Sequence, residues 1–421
     1  MPEGLVLVGG RLIVGDGTAP IDNAVVITDD SGLITYVGGS PSPPAVIPTA
    51  RVLDVSGCTV MPGFFDCHIH FHLDGLWGMH RRQDEYPPVH VFETAARMRE
   101  TLYAGVTSAR DLGGTGAGFR VAQERGLLEG PRLQVALRLL SHTGGHADMT
   151  CKSGHDLVRM AGEGHEICDT PAEARLSVRR VLRDGADLVK VCATGGISTP
   201  ADQPEDEGLS EEEIATVVDE ARRHRRRRVA AHAQGAAGII NAIRGGVTSI
   251  EHGYLIDDEG MDLALERGVF VVPTLSAFSS LDRGDAMSAT TRQTALRIRD
   301  ETHVRIAAAI ERGVKIAAGT DAPAGRYGHN LEELERLVGL GMSPMDAIVA
   351  GTATAADLCG VSDILGTVET GKIADLAICA GDPLSGISAL SNPDNIRLVI
   401  QGGRVVKDTD RRASQAVAPA R

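Results

Sequence analysis

Three histidines stand two residues apart in the run FFDCHIHFH, which covers residues 64–72: His68, His70 and His72. In a β-strand, alternate side chains point to the same face, so these imidazoles would share one side of the run. Burying neutral imidazoles without a partner is unfavourable, and imidazole nitrogens are common metal ligands. The run therefore predicts a bound ligand or cation at this face.

Further side chains that can bind a metal ion follow other apolar runs, where the chain leaves a predicted strand. They are His142 and His146 after the third run, Lys190 in the fourth, His232 in the fifth, His252 in the sixth and Asp321 in the eighth. Six of the chain's 14 histidines occupy such positions, whereas chance would scatter most of them over exposed helices and loops. Imidazole and carboxylate groups that converge from separate strands suit a divalent metal ion, with zinc the first expectation.

Lys190 is the unusual member of this group, because an ammonium repels a metal ion. It fits if its neutral amine adds carbon dioxide and becomes a carbamate, which binds metals as a bridging carboxylate does. The other interpretation is an inward lysine that forms a salt bridge. Taken alone, Lys190 leaves both open, and only the surrounding ligands favour the carbamate.

Alternating strands and helices would bring these side chains together. Amphipathic stretches lie between most of the apolar runs, and the helix SEEEIATVVDEARRHRR opens with Ser210 and Glu213 at capping-box spacing. The eight runs are TVMPGFFDCHIHF, VTSARDLGG, RLQVALRLLSHTGG, ADLVKVCATGG, RVAAHAQG, VTSIEHG, VFVVPTLSA and VKIAAGTDAP. This alternation predicts an α/β fold with a (β/α)8 TIM-like barrel over residues 61–365, whose strands end at the active site. A doubly wound open sheet is the alternative.

The two ends of the chain have a different residue pattern, which predicts short strands joined by turns rich in Gly, Asp and Pro. We predict that residues 1–60 and 366–421 form one small β-sandwich domain built from both termini.

The composition limits the partners and the compartment. The formal net charge of −14 argues against nucleic acid and anionic membranes as partners. The basic run RRHRRRR, residues 222–228, is interpreted as the solvated end of a helix. The start of the chain does not read as a signal peptide, and no apolar run reaches the roughly 20 residues of a membrane span. Seven scattered cysteines without a C-x-x-C pair predict reduced thiols, so we expect a soluble, cytoplasmic protein. Because nucleic acid and membranes are not expected partners, we predict that it acts on a small-molecule substrate.

The order of the chemical groups is typical of a known family. H-x-H in the first strand, Lys in the fourth, His in the fifth and sixth and Asp in the eighth resemble the amidohydrolase superfamily. The segments SHTGGHAD, LVKVCATGGIS, AAHAQG, IEHG and AAGTDAP are most similar to its branch of Xaa-Pro and Xaa-Arg dipeptidases and relatives of imidazolonepropionase. The resemblance covers nearly the whole chain, and it also implies a homo-oligomer.

The resemblance implies a site with two divalent metal ions, zinc by expectation, and residue roles in hydrolysis. The implied ligands are His68, His70 and Asp321 for one ion, His232 and His252 for the other, and Lys190, carbamylated with CO2, as the bridge. A hydroxide that bridges the ions would attack the substrate, and Asp321 would carry its proton to the leaving amine. His146 would lie at the substrate carbonyl and stabilise the oxyanion.

The substrate is less determined than the metal site. His142, His146 and Gln234 are the predicted substrate contacts, and Gln234 in AHAQG replaces the tyrosine of the AHAYG found in dipeptidase relatives. We predict hydrolysis of an amide bond in dipeptides or N-acyl amino acids, with a carbamate or aryl-urea hydrolase as the alternative. A cyclic-amidine hydrolase or deaminase usually needs one metal, so Lys190 argues against it. For His72, a solvated loop position is favoured over a substrate contact.

Overall fold

The protein was analysed as a computed structural model. It describes residues 4–39, 50–73, 85–150, 153–155, 165–197, 202–283 and 289–410. The chain divides into two compact units, one of Met1–Asp66, Arg99–Ser108 and Gly328–Arg421, the other of Cys67–Met98 and Ala109–Tyr327. These units do not follow the predicted limits, 1–60 with 366–421 and 61–365, residue for residue, and those limits stay a prediction.

The described residues form the following strands and helices. The strands are β1 Leu5–Leu12, β2 Ile21–Thr28, β3 Ile34–Gly39, β4 Arg51–Asp54, β5 Cys58–Pro62, β6 Phe64–Ile69, β7 Val106–Asp111, β8 Arg132–Val135, β9 Leu139–Ser141, β10 Glu166–Ile167, β11 Val189–Cys192, β12 Val229–Ala233, β13 Ser249–His252, β14 Phe270–Val272, β15 Leu376–Ala380, β16 Ile396–Gln401 and β17 Arg404–Asp408. The α-helices are α1 Pro87–Tyr103, α2 Ala117–Glu124, α3 Pro171–Arg183, α4 Glu211–Arg223, α5 Ala236–Gly245, α6 Asp258–Arg267, α7 Ser279–Arg283, α8 Ala289–Glu311, α9 Glu332–Gly339, α10 Pro344–Ala350, α11 Ala353–Cys359 and α12 Ser388–Ser391. Short 3-10 helices cover Leu275–Phe278 and Pro393–Asn395.

The first unit is built on one sheet that contains strands from both ends of the chain. Its order is β17-β16-β15-β5-β1-β2-β3, with β4 beside β1. The C-terminal strand β15 pairs antiparallel with β5, and Met61 lies opposite Ala377. Apolar side chains such as Leu7, Leu53 and Leu376 pack on one face of this sheet. The predicted sharing of one β-structure between the two termini is therefore confirmed, whereas a sandwich of two separate sheets is not resolved in the described residues.

The predicted site residues belong to the second unit, which contains β8 to β14 and the C-terminal parts of β6 and β7. One sheet has the order β10-β9-β11-β12-β13-β14 with parallel neighbours, and another has the order β6-β7-β8. Parallel bridges join Val271 to Ile316 and Ile69 to Ala322, so residues 316–322 lie between β14 and β6. The α/β fold is confirmed, but the described residues do not show one closed ladder of eight strands.

Three of the eight predicted strands differ in detail from the prediction. The first run is divided into β5, which belongs to the sheet with β15 and β1, and β6. The third run is split into β8 and β9, because Leu137 has φ 66° and this left-handed conformation breaks the pleat. The eighth run forms only the two bridges that Ile316 and Ala322 make and no regular strand. In the third and eighth runs most apolar residues are buried, with Leu139 partly buried, but the backbone is not regular.

The predicted helix start at Ser210 is confirmed. The Ser210 side chain accepts a hydrogen bond from the Glu213 backbone N–H, and the Glu213 carboxylate accepts one from the Ser210 backbone N–H at 2.8 Å. This capping box fixes the first turn of α4, which buries Ile214, Val217 and Ala221. After Arg223 the basic run is exposed as far as Arg226, as predicted for a solvated helix end, and Arg227 and Arg228 are half-buried. No helix in the described part of the chain is long and apolar enough to cross a membrane.

Candidate metal centre

The first two predicted ligands lie at the end of β6, beside Asp321, the ligand predicted from the eighth run. His68 is 1% exposed and His70 is 9% exposed. One oxygen of Asp321, Oδ1, lies 3.4 Å from Nε2 of His68 and 3.2 Å from Nε2 of His70. Ligands about 2.1 Å from a tetrahedral or octahedral metal ion are about 3.0–3.4 Å apart, so this spacing suits a shared cation.

The other two histidine ligands come from β12 and β13. The ring of His252 lies 4.9 Å from that of His68 and 4.7 Å from that of His232, measured between centroids. Donor atoms of His68, His252 and Asp321 all lie within 4.8 Å of one another. This grouping joins His252 to the ligands predicted for the first ion, so the structure brings the ligands together without separating them into two sets.

Each of the four predicted histidine ligands has a hydrogen-bond partner at one ring nitrogen. Nδ1 of His70 lies 3.0 Å from the carbonyl of Gly113, and Nε2 of His232 lies 2.9 Å from the carbonyl of Gly195. A carbonyl can only accept, so these nitrogens donate their protons, and the lone pairs belong to Nε2 of His70 and Nδ1 of His232. Such outer hydrogen bonds fix the tautomer and the orientation that a metal ligand needs.

The backbone at the site departs from regular strand geometry. His252 has φ 72° and Asp321 has φ 55°, and left-handed values are uncommon for residues other than glycine. Strained backbone of this kind clusters at functional sites, where surrounding contacts hold it. Nδ1 of His252 is held 2.8 Å from the hydroxyl of Thr274, which is fully buried.

Lys190 lies in β11 with its amine inside the unit. The residue is 1% exposed, and Nζ has no hydrogen-bond partner among the described residues. Burial lowers the pKa of Lys190 to about 8. This orphaned amine does not support the salt-bridge interpretation, and it fits a group that reacts with carbon dioxide and then binds metal ions.

Burial also sets the protonation of the other ligands. Loss of solvent lowers the pKa of His68, His232 and His252 well below the usual value, so these imidazoles are neutral and can bind metal. Burial raises the pKa of Asp321, but its interactions with His68 and His70, including the hydrogen bond from His70, outweigh burial, and the net pKa is lowered. The donor set of neutral imidazoles, one carboxylate and a reactive amine therefore fits divalent cations.

His70 behaves differently from the other three imidazoles. Burial lowers its pKa, but the hydrogen bond and the charge of Asp321 outweigh burial, and the net pKa is raised. Nδ1 donates to a carbonyl and Nε2 faces the Asp321 carboxylate, so a metal ion would have to compete with a proton for the lone pair on Nε2.

The structure brings one predicted substrate residue next to the ligands. The ring of His146 stacks on that of His232, with centroids 4.0 Å apart and an interplanar angle of 14°. Nδ1 of His146 lies 3.3 Å from Oδ2 of Asp202, a buried acid. Asp202 was not predicted from the sequence, because a loop acid 56 positions away gives no signal of its proximity.

The other predicted substrate residues, Gln234 and His142, differ from each other in their burial and contacts, and so does His72. Gln234 follows β12, is 4% exposed, and has a buried Oε1 without a hydrogen-bond partner in the described part of the chain. His142 is half-buried and bonds to the carbonyl of Thr143 in its own loop, and no described contact links it to the metal ligands. His72, predicted as a solvated loop residue, is half-buried, with Nδ1 2.7 Å from the hydroxyl of Thr94.

The predicted specificity loops, 72–90, 144–170 and 276–300, lie partly outside the described residues. Their contacts with a substrate therefore stay predictions.

Sequence reasoning also missed Glu251, which is fully buried with Oε2 2.9 Å from Nδ1 of His68. Strand alternation places neighbours on opposite faces, so a residue beside the ligand His252 was not expected to face the same ligands. The positive φ of His252 breaks this alternation, and both side chains contact His68. The acid directly before the histidine in IEHG was the available signal.

Comparison with known proteins agrees with this geometry. The sequence model of the Amidohydrolase family matches residues 59–406. Ochratoxinase of Aspergillus niger is 31% identical over 424 positions, covering 96% of this chain and 86% of that protein. A crystal structure of a Xaa-Pro dipeptidase with bound methionine in its active site is similar with a TM-score of 0.85 and 31% identity, covering 96% of this chain and 100% of that one. A prolidase complexed with N-methylphosphonate-L-proline has a TM-score of 0.87 and 29% identity, with the same coverage of 96% and 100%.

Proposed function

The chain belongs to the amidohydrolase family, as its sequence predicted, and on that premise we propose that it hydrolyses an amide bond in a dipeptide or an N-acyl amino acid, using two divalent metal ions. It is a hydrolase by its family and by its similarity to ochratoxinase and the prolidases. The observation that carries the two-metal proposal is the buried amine of Lys190, which lies among imidazoles and a carboxylate without a partner in the described residues.

The proposal includes a closed (β/α)8 barrel with a β-sandwich. The bridges of residues 316–322 to β14 and to β6 support closure on one side. The similarity to the Xaa-Pro dipeptidase over 96% of the chain supports the same architecture.

Two metal ions would be held by the residues that converge at the strand ends. His68, His70 and Asp321 would hold one ion, and His232 and His252 the other. When bound, such ions supply an acidified water molecule and polarise the scissile carbonyl. Zinc is the first candidate because imidazole and carboxylate ligands suit it.

Lys190 would bridge the two ions as a carbamate. The neutral Nζ would attack the carbon of CO2: an N–C bond forms, one C–O π bond breaks with its electron pair moving to oxygen, and Nζ releases one proton to solvent, which leaves a carbamate anion. A pKa of about 8 leaves about a tenth of the amine neutral at pH 7, against about 0.03% for an ordinary lysine. Burial therefore provides the reactive form of the amine.

Asp321 and His146 would handle the proton and the substrate carbonyl. Asp321 has a lowered pKa, so it is a carboxylate at neutral pH and can accept a proton from the attacking water before passing it to the leaving amine. Asp202 lies 3.3 Å from Nδ1 of His146 and would orient its ring, and Nε2 would donate to the carbonyl oxygen of the substrate.

Gln234 would distinguish this chain from simple Xaa-Pro dipeptidases. Its amide can both donate and accept a hydrogen bond, so it suits an amide bond that carries an N–H better than the tertiary amide before proline. The same metal ions would also serve a carbamate or aryl-urea substrate, which stays the second candidate because Gln234 does not exclude it.

A turnover screen tests this function. Zinc-loaded protein, prepared with bicarbonate, is offered dipeptides and N-acyl amino acids in one set and aryl carbamates and aryl ureas in another. We expect kcat/KM to be higher for the first set and activity to disappear after chelation. Activity confined to the second set would assign the alternative, and activity that survives complete removal of metal would contradict the proposal.

A further inference from the structure

An ion pair is buried beside the metal ligands. Nη2 of Arg110, in β7, lies 2.7 Å from Oε1 of Glu251, in β13. Arg110 is 2% exposed and Glu251 is fully buried. Charges are costly to bury and persist in a core only where their hydrogen-bonding groups are satisfied.

The pair is part of a network that reaches three strands. Nε of Arg110 donates to the carbonyl of Cys67 at 2.6 Å, and Cys67 directly precedes His68 in the H-x-H run. Nη1 donates to the hydroxyl of Ser249 at 3.1 Å, and that hydroxyl donates to Oε1 of Glu251 at 2.5 Å. Oε1 is thus held by two donors, and Oε2 is directed at Nδ1 of His68, 2.9 Å away.

This arrangement determines which nitrogen of His68 can bind a metal ion. A carboxylate paired with arginine only accepts, so the proton of neutral His68 lies on Nδ1 and the lone pair on Nε2. Nε2 is the nitrogen that lies 3.4 Å from Asp321, on the side of the other ligands. The network therefore selects both the tautomer and the direction of the ring.

We propose that Glu251, held by Arg110 and Ser249, is a positioning residue that fixes His68 in its metal-binding form. The inference rests on the proposed metal site and deepens it. A group that only stabilises the core would be exchangeable for any well-packed replacement without a specific effect on metal affinity, whereas a positioning residue controls the affinity itself.

The chain offers a matched control in Glu220 of α4. Glu220 is 2% exposed and accepts hydrogen bonds from Nη1 of Arg175 and Nε of Arg179, each at 2.7 Å. It also lies 3.2 Å from a histidine, His224. Glu220 therefore repeats the arginine and histidine partners of Glu251 without contacting any predicted metal ligand.

The test measures zinc affinity of the full-length metal-free protein in competition with a chromophoric chelator. Glu251→Gln should weaken zinc binding by about 10- to 100-fold, the range for loss of an outer partner of a metal ligand. Glu220→Gln should bind zinc as the wild type does. Equal affinity in Glu251→Gln and the wild type, with both folded, would overturn the inference.

Ser249→Ala provides a second variant in case Glu251→Gln does not fold. It removes one hydrogen bond to Oε1 and leaves both charges in place, so we expect a smaller loss of zinc affinity, about threefold or more. Unchanged affinity in Ser249→Ala would then overturn the inference. A wild-type protein that binds no zinc would instead contradict the proposed function, so the two failures are distinguishable.

Discussion

At the scale of single residues, the side chains that lie close together at the strand ends could be predicted from the sequence, and the groups that hydrogen-bond to them could not. His68, His70 and Asp321 follow apolar runs and have side chains that bind metals, so type and position pointed to them. Glu251 and Asp202 became visible only in the structure, because their importance lies in a contact with a residue far away in the chain. A contact between distant strands leaves no periodic signal.

The pKa of Lys190 makes the activation of metal-free protein dependent on pH. The amine is protonated below its pKa and neutral above it, and burial places that pKa at about 8. At constant dissolved CO2, the rate of activation by zinc should rise about tenfold per pH unit below pH 8 and level off above it. Stopped assays of recovered activity between pH 6 and pH 9 measure this rate. A rate that is flat between pH 6 and pH 8 would argue against carbamylation of Lys190.

Asp321 is expected to act in the chemical step. Asp321→Asn keeps the shape of the side chain but cannot accept a proton as a carboxylate does, so kcat should fall by about 10²- to 10⁴-fold with little change in KM. Steady-state kinetics on variants with wild-type zinc content measure this, and Asp363→Asn on the exposed surface serves as the control. A kcat within a factor of two of the wild type would remove Asp321 from this role.

At the scale of elements, the apolar runs predicted where strands lie but not where their backbone becomes irregular. Leu137, His252 and Asp321 all have positive φ, although none of them is a glycine. Residue type alone predicts extended backbone at these positions, and tertiary contacts override this preference. The capping box at Ser210 is a local arrangement within four residues, and for that reason it could be predicted fully.

Ser210 should contribute to stability without affecting the site. Ser210→Ala removes the side chain that accepts the Glu213 N–H, so the free energy of unfolding should fall by about 0.5–2 kcal/mol. Thr216→Ala, in the same helix, removes an exposed hydroxyl that donates to the carbonyl of Glu212 and should change stability much less. Chemical denaturation of both variants measures the difference. An equal loss of unfolding free energy in both variants would show that the Ser210 cap does not make the predicted contribution to stability.

At the scale of the whole molecule, the pairing of the two termini was predictable and the division into units was not. Both ends of the sequence contain short strands, and β15 indeed pairs with β5. The composition does not reveal that Arg99–Ser108 belongs to the unit of the terminal strands, because that grouping depends on long-range packing. The predicted homo-oligomer and the cytoplasmic location stay predictions, and sedimentation of the purified protein measures the first.

The central claim is a centre of two metal ions bridged by Lys190, and metal content per chain tests it most directly. Elemental analysis after zinc loading and gel filtration should find two zinc ions per chain in the wild type and in the control Lys372→Ala, whose amine lies 2.6 Å from the hydroxyl of Thr367. Lys190→Ala should retain fewer than two, because the bridge is lost. Two tightly held zinc ions in Lys190→Ala, or none in the wild type, would contradict the account.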